Sequence, residues 1–243
     1  MVQPSIPVVA GGGTDAGAPS VFWTMNESSI GAIPVTREDS IGALDLTDNT
    51  SGVLYTTSTT GQINNAAAFA GDNDLRRVHN TLHNFHPSTG GTLSFWIKTN
   101  GPAGNPLSKY DYDDDVTETG QWRLSVGSAG WTLNLAFSDG VFTPYNFTDP
   151  LPNGNWHHVV FTVNPATDEA SLYIDGTFER TVTIDAGNLF DDTSAGLLVG
   201  IDYTGASPVY FNGAIDAVGQ WKGTVFTQDN VTYEYNSGTG RER

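Results

Sequence analysis

Cysteine is absent from this 243-residue chain, which removes both a disulfide framework and any thiolate metal centre and leaves packing to hold the fold. Cations are scarce as well: 10 Lys and Arg stand against 27 Asp and Glu, a formal net charge of −17. Such a surface repels nucleic-acid phosphates and anionic membrane surfaces, so nucleic acid is not expected as a partner. No apolar run reaches membrane-spanning length, and the opening residues carry neither a basic region nor a long apolar stretch. Neither membrane insertion nor a signal peptide is therefore expected. What the chain does have is turn formers and aromatics, with 28 Gly, 12 Pro and an aromatic fraction of 11%. Many turns, and no repeat or charged linker through the middle, point to an all-β chain with one core.

Strand periodicity is plain in several places. Leu93, Phe95 and Ile97 alternate with Ser94, Trp96 and Lys98; Trp122, Leu124 and Val126 form a second apolar set. Trp131, Leu133, Leu135 and Phe137 form another, across a turn at Gly127 to Gly130. The fullest signal lies at residues 155–176. There Trp156, His158, Val160 and Thr162 fall on one face of a strand, and His157, Val159, Phe161 and Val163 on the other. Both faces are expected to be largely covered. The polar run Asn164 to Glu169, with Pro165 unable to donate to a ladder, reverses the chain before Leu172 and Ile174 resume the alternation.

The Trp-His-His-Val start of this hairpin and its Leu-Tyr-Ile-Asp-Gly end resemble the laminin-G-like, concanavalin A-like jelly roll of the lectin/glucanase superfamily. Three further stretches match the same pattern in the same order: residues 21–29, residues 61–71, and the closing Phe211-Asn212-Gly213-Ala214-Ile215-Asp216. The resemblance implies an all-β, two-sheet antiparallel jelly-roll sandwich with a short C-terminal helix. Thr227 is placed to cap that helix over Gln228 to Tyr235 and Gly238 to end it. Residues 1–19, rich in Gly and Pro, read as a flexible N-terminal arm, and 20–243 as the laminin-G-like domain.

Candidate chemistry is thinner. Glycoside hydrolases of this architecture need two carboxylates facing a cleft, and the Glu-x-Asp-x-Glu strand motif of the resembled hydrolases is missing. Asp168 and Glu169 are adjacent, hence on opposite faces, and sit in a turn. The same alternation parts His157 from His158, so the pair is read as structural, while His79, His83 and His86 stay unassigned. In the acidic loop Lys109 to Glu118, Asp111, Asp113 and Asp115 alternate and could converge on Ca²⁺; the other reading is a solvated loop. Val116 and Trp122 stand where an EF-hand needs Gly and Glu. Asp216 reads either as a further ligand or as a hydrogen-bond acceptor in the fold. Tyr110, Tyr112, Tyr145 and Tyr203 lie beside turns and could share a rim on which sugar rings stack; otherwise they cover the ends of the sandwich. The six tryptophans, mostly in strand register, are expected in the core.

These readings predict a non-catalytic structural or adhesion protein, with a virion surface component, such as a bacteriophage capsid decoration or tail protein, placed first. Met1, Val2, Gln3, Pro4, Ile6 and Val8 of the arm would then contact other virion proteins or copies of the chain. A calcium-assisted carbohydrate-binding module engaging cell-surface or extracellular glycans is the alternative, and a glycoside hydrolase or polysaccharide lyase the third reading. The expected location is a virion or the extracellular space.

Overall fold

The computed structural model describes residues 12–27, 36–48, 56–101, 103–111, 119–136, 142–152, 154–185, 189, 191, 194–204 and 207–243. The first half of the strands runs β1 (Val21–Trp23), β2 (Thr36–Arg37), β3 (Leu46–Asp48), β4 (Thr57–Thr60), β5 (Asn65–Ala70), β6 (Leu75–Arg77), β7 (Gly91–Thr99), β8 (Ala103–Asp111) and β9 (Thr119–Gly127). The second half runs β10 (Gly130–Ala136), β11 (Phe142–Phe147), β12 (Trp156–Asn164), β13 (Glu169–Ile174), β14 (Thr177–Thr183), β15 (Leu197–Val199), β16 (Ile201–Thr204), β17 (Ser207–Tyr210) and β18 (Asn212–Lys222). One helix, α1 (Gln228–Tyr235), follows.

The strands form two antiparallel sheets. The first has the order β14-β13-β12-β7-β18-β5-β4, with β1 also on β18; the second is β11-β10-β9-β8-β15-β6-β3-β2. Strands β16 and β17 make a separate ribbon. The jelly-roll sandwich expected from the sequence is the observed fold. Its core is built by the alternation read above: Leu93, Phe95, Ile97, Val159, Phe161 and Val163 meet Trp122, Leu124, Trp131, Leu133 and Leu135. Phe161 stands edge-on to Trp131 at 5.5 Å and to Phe147 at 5.4 Å, the geometry ring quadrupoles favour. Trp23, Trp122, Trp131 and Trp221 are fully buried, as expected of tryptophans in strand register.

The 155–176 hairpin forms as β12 and β13, with Val159 opposite Ile174 and Asn164 opposite Glu169. The Asn164 side chain caps its own turn by accepting from the Ala166 N–H at 3.1 Å. At the next reversal Asp175 and Gly176 both have positive φ, 50° and 78°, as a two-residue hairpin turn requires. A Cβ on Gly176 would stand 2.6 Å from the Tyr235 ring. That glycine therefore serves the turn and also the close approach of α1.

Part of the outer face of the first sheet, over β7, β12, β13 and the later half of β18, is covered. Val160, Tyr173 and Trp221 pack against Phe226 and Val231 of the C-terminal segment, and Trp96 stacks on Tyr235 with ring centres 5.8 Å apart. Thr227 caps α1 through a capping box shared with Asn230. Asn236, in the left-handed region at φ 49°, ends the helix two residues before the expected Gly238, because asparagine tolerates that conformation.

Residues 12–19 correct the expectation of a free arm. The Thr14 N–H donates to Asp229 O, Trp221 Nε1 donates to Gly17 O, and Arg243 pairs with both Asp15 and Glu234. From residue 12 onward the segment is part of the covering layer. The assembly residues Met1, Val2, Gln3, Pro4, Ile6 and Val8 lie outside the described residues.

Candidate functional site

The second sheet is built differently on its outer side. Its register sets Arg76 opposite Leu198, Leu198 opposite Ser108, Ser108 opposite Arg123, Arg123 opposite Asn134, and Asn134 opposite Pro144. Directly opposed residues share a face. This one row thus crosses six strands, about 24 Å at the usual strand spacing. A parallel row holds Ser125, Thr132 and Asn146, in which Thr132 Oγ1 donates to Asn146 Oδ1 at 2.9 Å. Hydroxyls, amides and guanidinium groups alternate here with the apolar patches of Leu198, Pro144 and Phe142. Neither row contains a carboxylate. Asp202 reaches in from the ribbon to Arg123 at 3.6 Å, and Asp74 pairs with Arg76 at 2.5 Å. Beside Arg76 lies a cleft of about 270 Å³, bounded by Val78, His79, Tyr110, Gly196 and Leu198.

Of the four tyrosines expected on the rim, the two whose side chains are described, Tyr110 and Tyr145, do not share one. Tyr110 is buried, edge-on to Phe142 at 5.3 Å with the Arg123 guanidinium 5.5 Å from its ring centre, so its ring faces are taken up by protein. Tyr145, one step along β11 from the outward Asn146, packs its ring against the core and accepts at its hydroxyl from the Asp185 N–H. Burial pushes its hydroxyl pKa up. The two rings are thus on opposite sides of their sheet, which is what alternation dictates. Tyr112 lies outside the described residues, and of Tyr203 only the backbone, in β16, is described.

Among the proposed calcium ligands, Asp113 and Asp115 lie outside the described residues, and Asp111 is described only as the last backbone position of β8. Asp216 does not join them. It sits on the outer face of the other sheet, opposite Trp96, with no exposed surface, and accepts from the Ile63 N–H at 2.8 Å. Burial drives its carboxyl up to about 7, against the backbone donors of Ile63, Gln62 and Ala217. Of its two sequence readings, the geometry matches the acceptor, tying the 61–65 turn to β18. Among the described residues, no three His, Asp or Glu side chains gather as a metal site.

The histidines divide as strand alternation requires. His157 meets Asp175 at 2.7 Å, while His158, on the other face, shares a hydrogen bond of 2.8 Å with Ser94 and lies beside the Trp96 ring. Burial lowers the His158 pKa to about 3. His83 is also lowered to about 3, chiefly by burial, with Lys109, Arg77 and His79 adding repulsion. His86 accepts at Nδ1 from Ser88 and Thr89, and His79 lies 3.2 Å from Ala195 O. Each imidazole is placed as a structural group.

The outward rows were missed in the sequence, although their signal was present. Arg123, Ser125, Thr132 and Asn134 are the residues skipped by the apolar alternation of β9 and β10, and two of only ten cations, Arg76 and Arg123, lie there.

The family model described as the concanavalin A-like lectin/glucanases superfamily matches residues 48–232. A curated relative, the non-toxic nonhemagglutinin of Paraclostridium bifermentans, is 27% identical over 132 residues. That stretch is 50% of this chain but only 10% of the relative, so the chain spans about a tenth of its length. Among solved structures, domain 4 of AbnA, a GH43 extracellular arabinanase from Geobacillus stearothermophilus, in complex with arabinotriose, superposes with a TM-score of 0.63 at 16% identity. The match covers 92% of this chain and 98% of that domain. The binding domain of botulinum neurotoxin DC in complex with SialylT gives a TM-score of 0.64 at 13% identity, over 91% of this chain and 52% of that one. At such identities these likenesses speak for the fold.

Proposed function

From a chain that belongs to the concanavalin A-like lectin/glucanase superfamily, we propose a non-catalytic carbohydrate-binding module that takes glycans on the outer face of β9, β10 and β11. The observation that carries the reading is the pair of carboxylate-free rows on the outer side of the sheet, with half-buried Arg123 and Thr132 and exposed Asn146. Amides and hydroxyls donate and accept, as sugar hydroxyls do, and Phe142 and Pro144 supply apolar contact for C–H faces. A hydrolase would need a carboxylate on each side of a scissile bond, and the rows offer none. Support also comes from the arabinotriose and SialylT complexes of the structural neighbours, and from the extracellular description of the first, which fits a module working outside cells.

A virion surface component is a narrower form of the same adhesive role. It is motivated by the arm at residues 1–19, whose expected assembly residues Met1 to Val8 lie outside the described residues, and calcium assistance by the acidic loop Lys109 to Glu118, of which 112–118 also lie outside them. The observations favour the plain carbohydrate-binding form.

A glycan array probed with the full chain, with and without EDTA, tests the reading. Saturable binding that weakens about tenfold in a Thr132→Ala/Asn146→Ala variant is expected. Absence of binding to any glycan in both conditions would overturn it.

A further inference from the structure

A second hollow lies on the first sheet, where β4, β5 and the start of β18 meet the end of β7. It encloses about 490 Å³ among Thr57, Ala68, Asn73, Asn100, Asn212 and Gly213. It continues into a smaller hollow of about 110 Å³ toward Thr60 and Lys98, which shares Ala68, Asn100 and Gly213. The larger volume is within the range of small-molecule sites, about 300–1,000 Å³.

Its chemistry is narrow. None of the residues lining either hollow is Asp or Glu, in a chain that carries 27 of them. Three side-chain amides, of Asn73, Asn100 and Asn212, line it with Ala68 and Phe69; Asn73 Oδ1 accepts from the Ala70 N–H, and Asn100 Nδ2 donates to Asn212 Oδ1 at 3.5 Å, a long contact that a sugar hydroxyl can replace. The amide residues are fixed around one strand end. Asn212 pairs with Ala70 in the ladder, the Ala70 N–H donates to Asn73 Oδ1 at 3.0 Å, and the Asn100 N–H donates to Asn212 O at 3.0 Å. Their Cα positions therefore need no ordering when a ligand arrives, which lowers the cost of binding. Gly213 cannot be replaced in this wall: a Cβ there would lie 2.1 Å from Lys98 O.

We infer that this hollow is a second saccharide site, selective for uncharged sugar rings, whose hydroxyls pair with the amides of Asn100 and Asn212 while a C–H face rests on Ala68. An anionic sugar would gain one cation, Lys98, at the narrow end only, against the negative field of the whole chain.

Titration of the ¹⁵N-labelled full chain with arabinotriose, maltotriose and 3′-sialyllactose, followed by side-chain amide resonances, tests the inference. Saturable shifts of Asn100 and Asn212 with a neutral trisaccharide are expected, with affinity falling about tenfold in Asn100→Ala/Asn212→Ala. Ala68→Phe, which fills the hollow and leaves the amides in place, should also abolish the shifts. Unmoved Asn100 and Asn212 resonances, or shifts with sialyllactose alone, overturn it. If only Asn146 responds, this site falls and the open-face reading stands; if only Asn100 and Asn212 respond, the outcome is the reverse.

Discussion

On the outer side of β7 and β12 stand Thr92, Ser94, Trp96, His158, Val160 and Thr162; on the outer side of β9 and β10 stand Arg123, Ser125, Thr132 and Asn134. The first set mixes large apolar rings with small hydroxyls. It is closed over by residues 12–20, α1 and the tail, and the side chains of Thr92, Ser94 and His158 hydrogen-bond inside the protein. Thr92 Oγ1, for example, donates to Thr224 O and accepts from the Phe226 N–H. The second set is polar throughout and partly open to solvent at Arg123, Ser125 and Thr132, with Asn134 buried among them. The two faces show that strands of similar period can make a foundation or a contact surface, according to whether the outward positions carry surface that must be buried.

The most direct way to break this contrast is to remove the largest side chain under the cover. Trp221→Ala should cost about 3–5 kcal/mol in urea unfolding, by cavity formation and loss of its bond to Gly17. An unchanged midpoint would mean the covering layer is not seated there.

Acid comes next. His158 and His83 are held down to about 3 by burial, below the unfolded value of about 6.5. The stability they carry is complete above about pH 6.5 and is lost as pH falls toward 3. Asp216 works in the opposite sense: held up to about 7, it leaves stability complete below about pH 4 and erodes it as pH rises through 7. Urea midpoints should therefore drop steeply from pH 6 to 4. His158→Gln should flatten that limb, whereas Asp216→Asn, which removes the opposing contribution, should steepen it. Identical pH profiles in wild type and both variants would sink the assignment.

Smaller effects sharpen the picture. Arg243→Ala leaves Glu234 buried without its guanidinium partner and should cost about 1–3 kcal/mol. Thr227→Ala, which removes the cap of α1, should cost about 1 kcal/mol. Thr132→Ala/Asn146→Ala on the open face should change stability by no more than about 0.5 kcal/mol while weakening glycan binding. A stability loss there as large as that of Trp221→Ala would erase the distinction between the faces.

Much of this molecule was legible along the chain. Apolar alternation in 93–97, 122–126, 131–135 and 156–163 placed the core strands, and the separation of His157 from His158 followed from a period of two. The candidate site was far less legible. The tyrosines drew notice by type, yet Tyr110 is enclosed by Phe142 and Arg123, neighbours that register alone supplies. Asp216 could be a ligand or an acceptor until its oxygen was found on the Ile63 N–H. The outward rows escaped notice because their polar residues carry no local pattern beyond being the complement of the core.

By itself the sequence determined the class of structure and its inner faces, since side-chain direction along a strand depends only on position parity, and it determined the acidic net charge of −17. Only the tertiary structure decided which part of the outer surface is covered, because that depends on where residues 12–20 and 223–243 come to lie. It also decided which polar groups meet, since Asn100 and Asn212 become neighbours through contacts between segments distant in the chain.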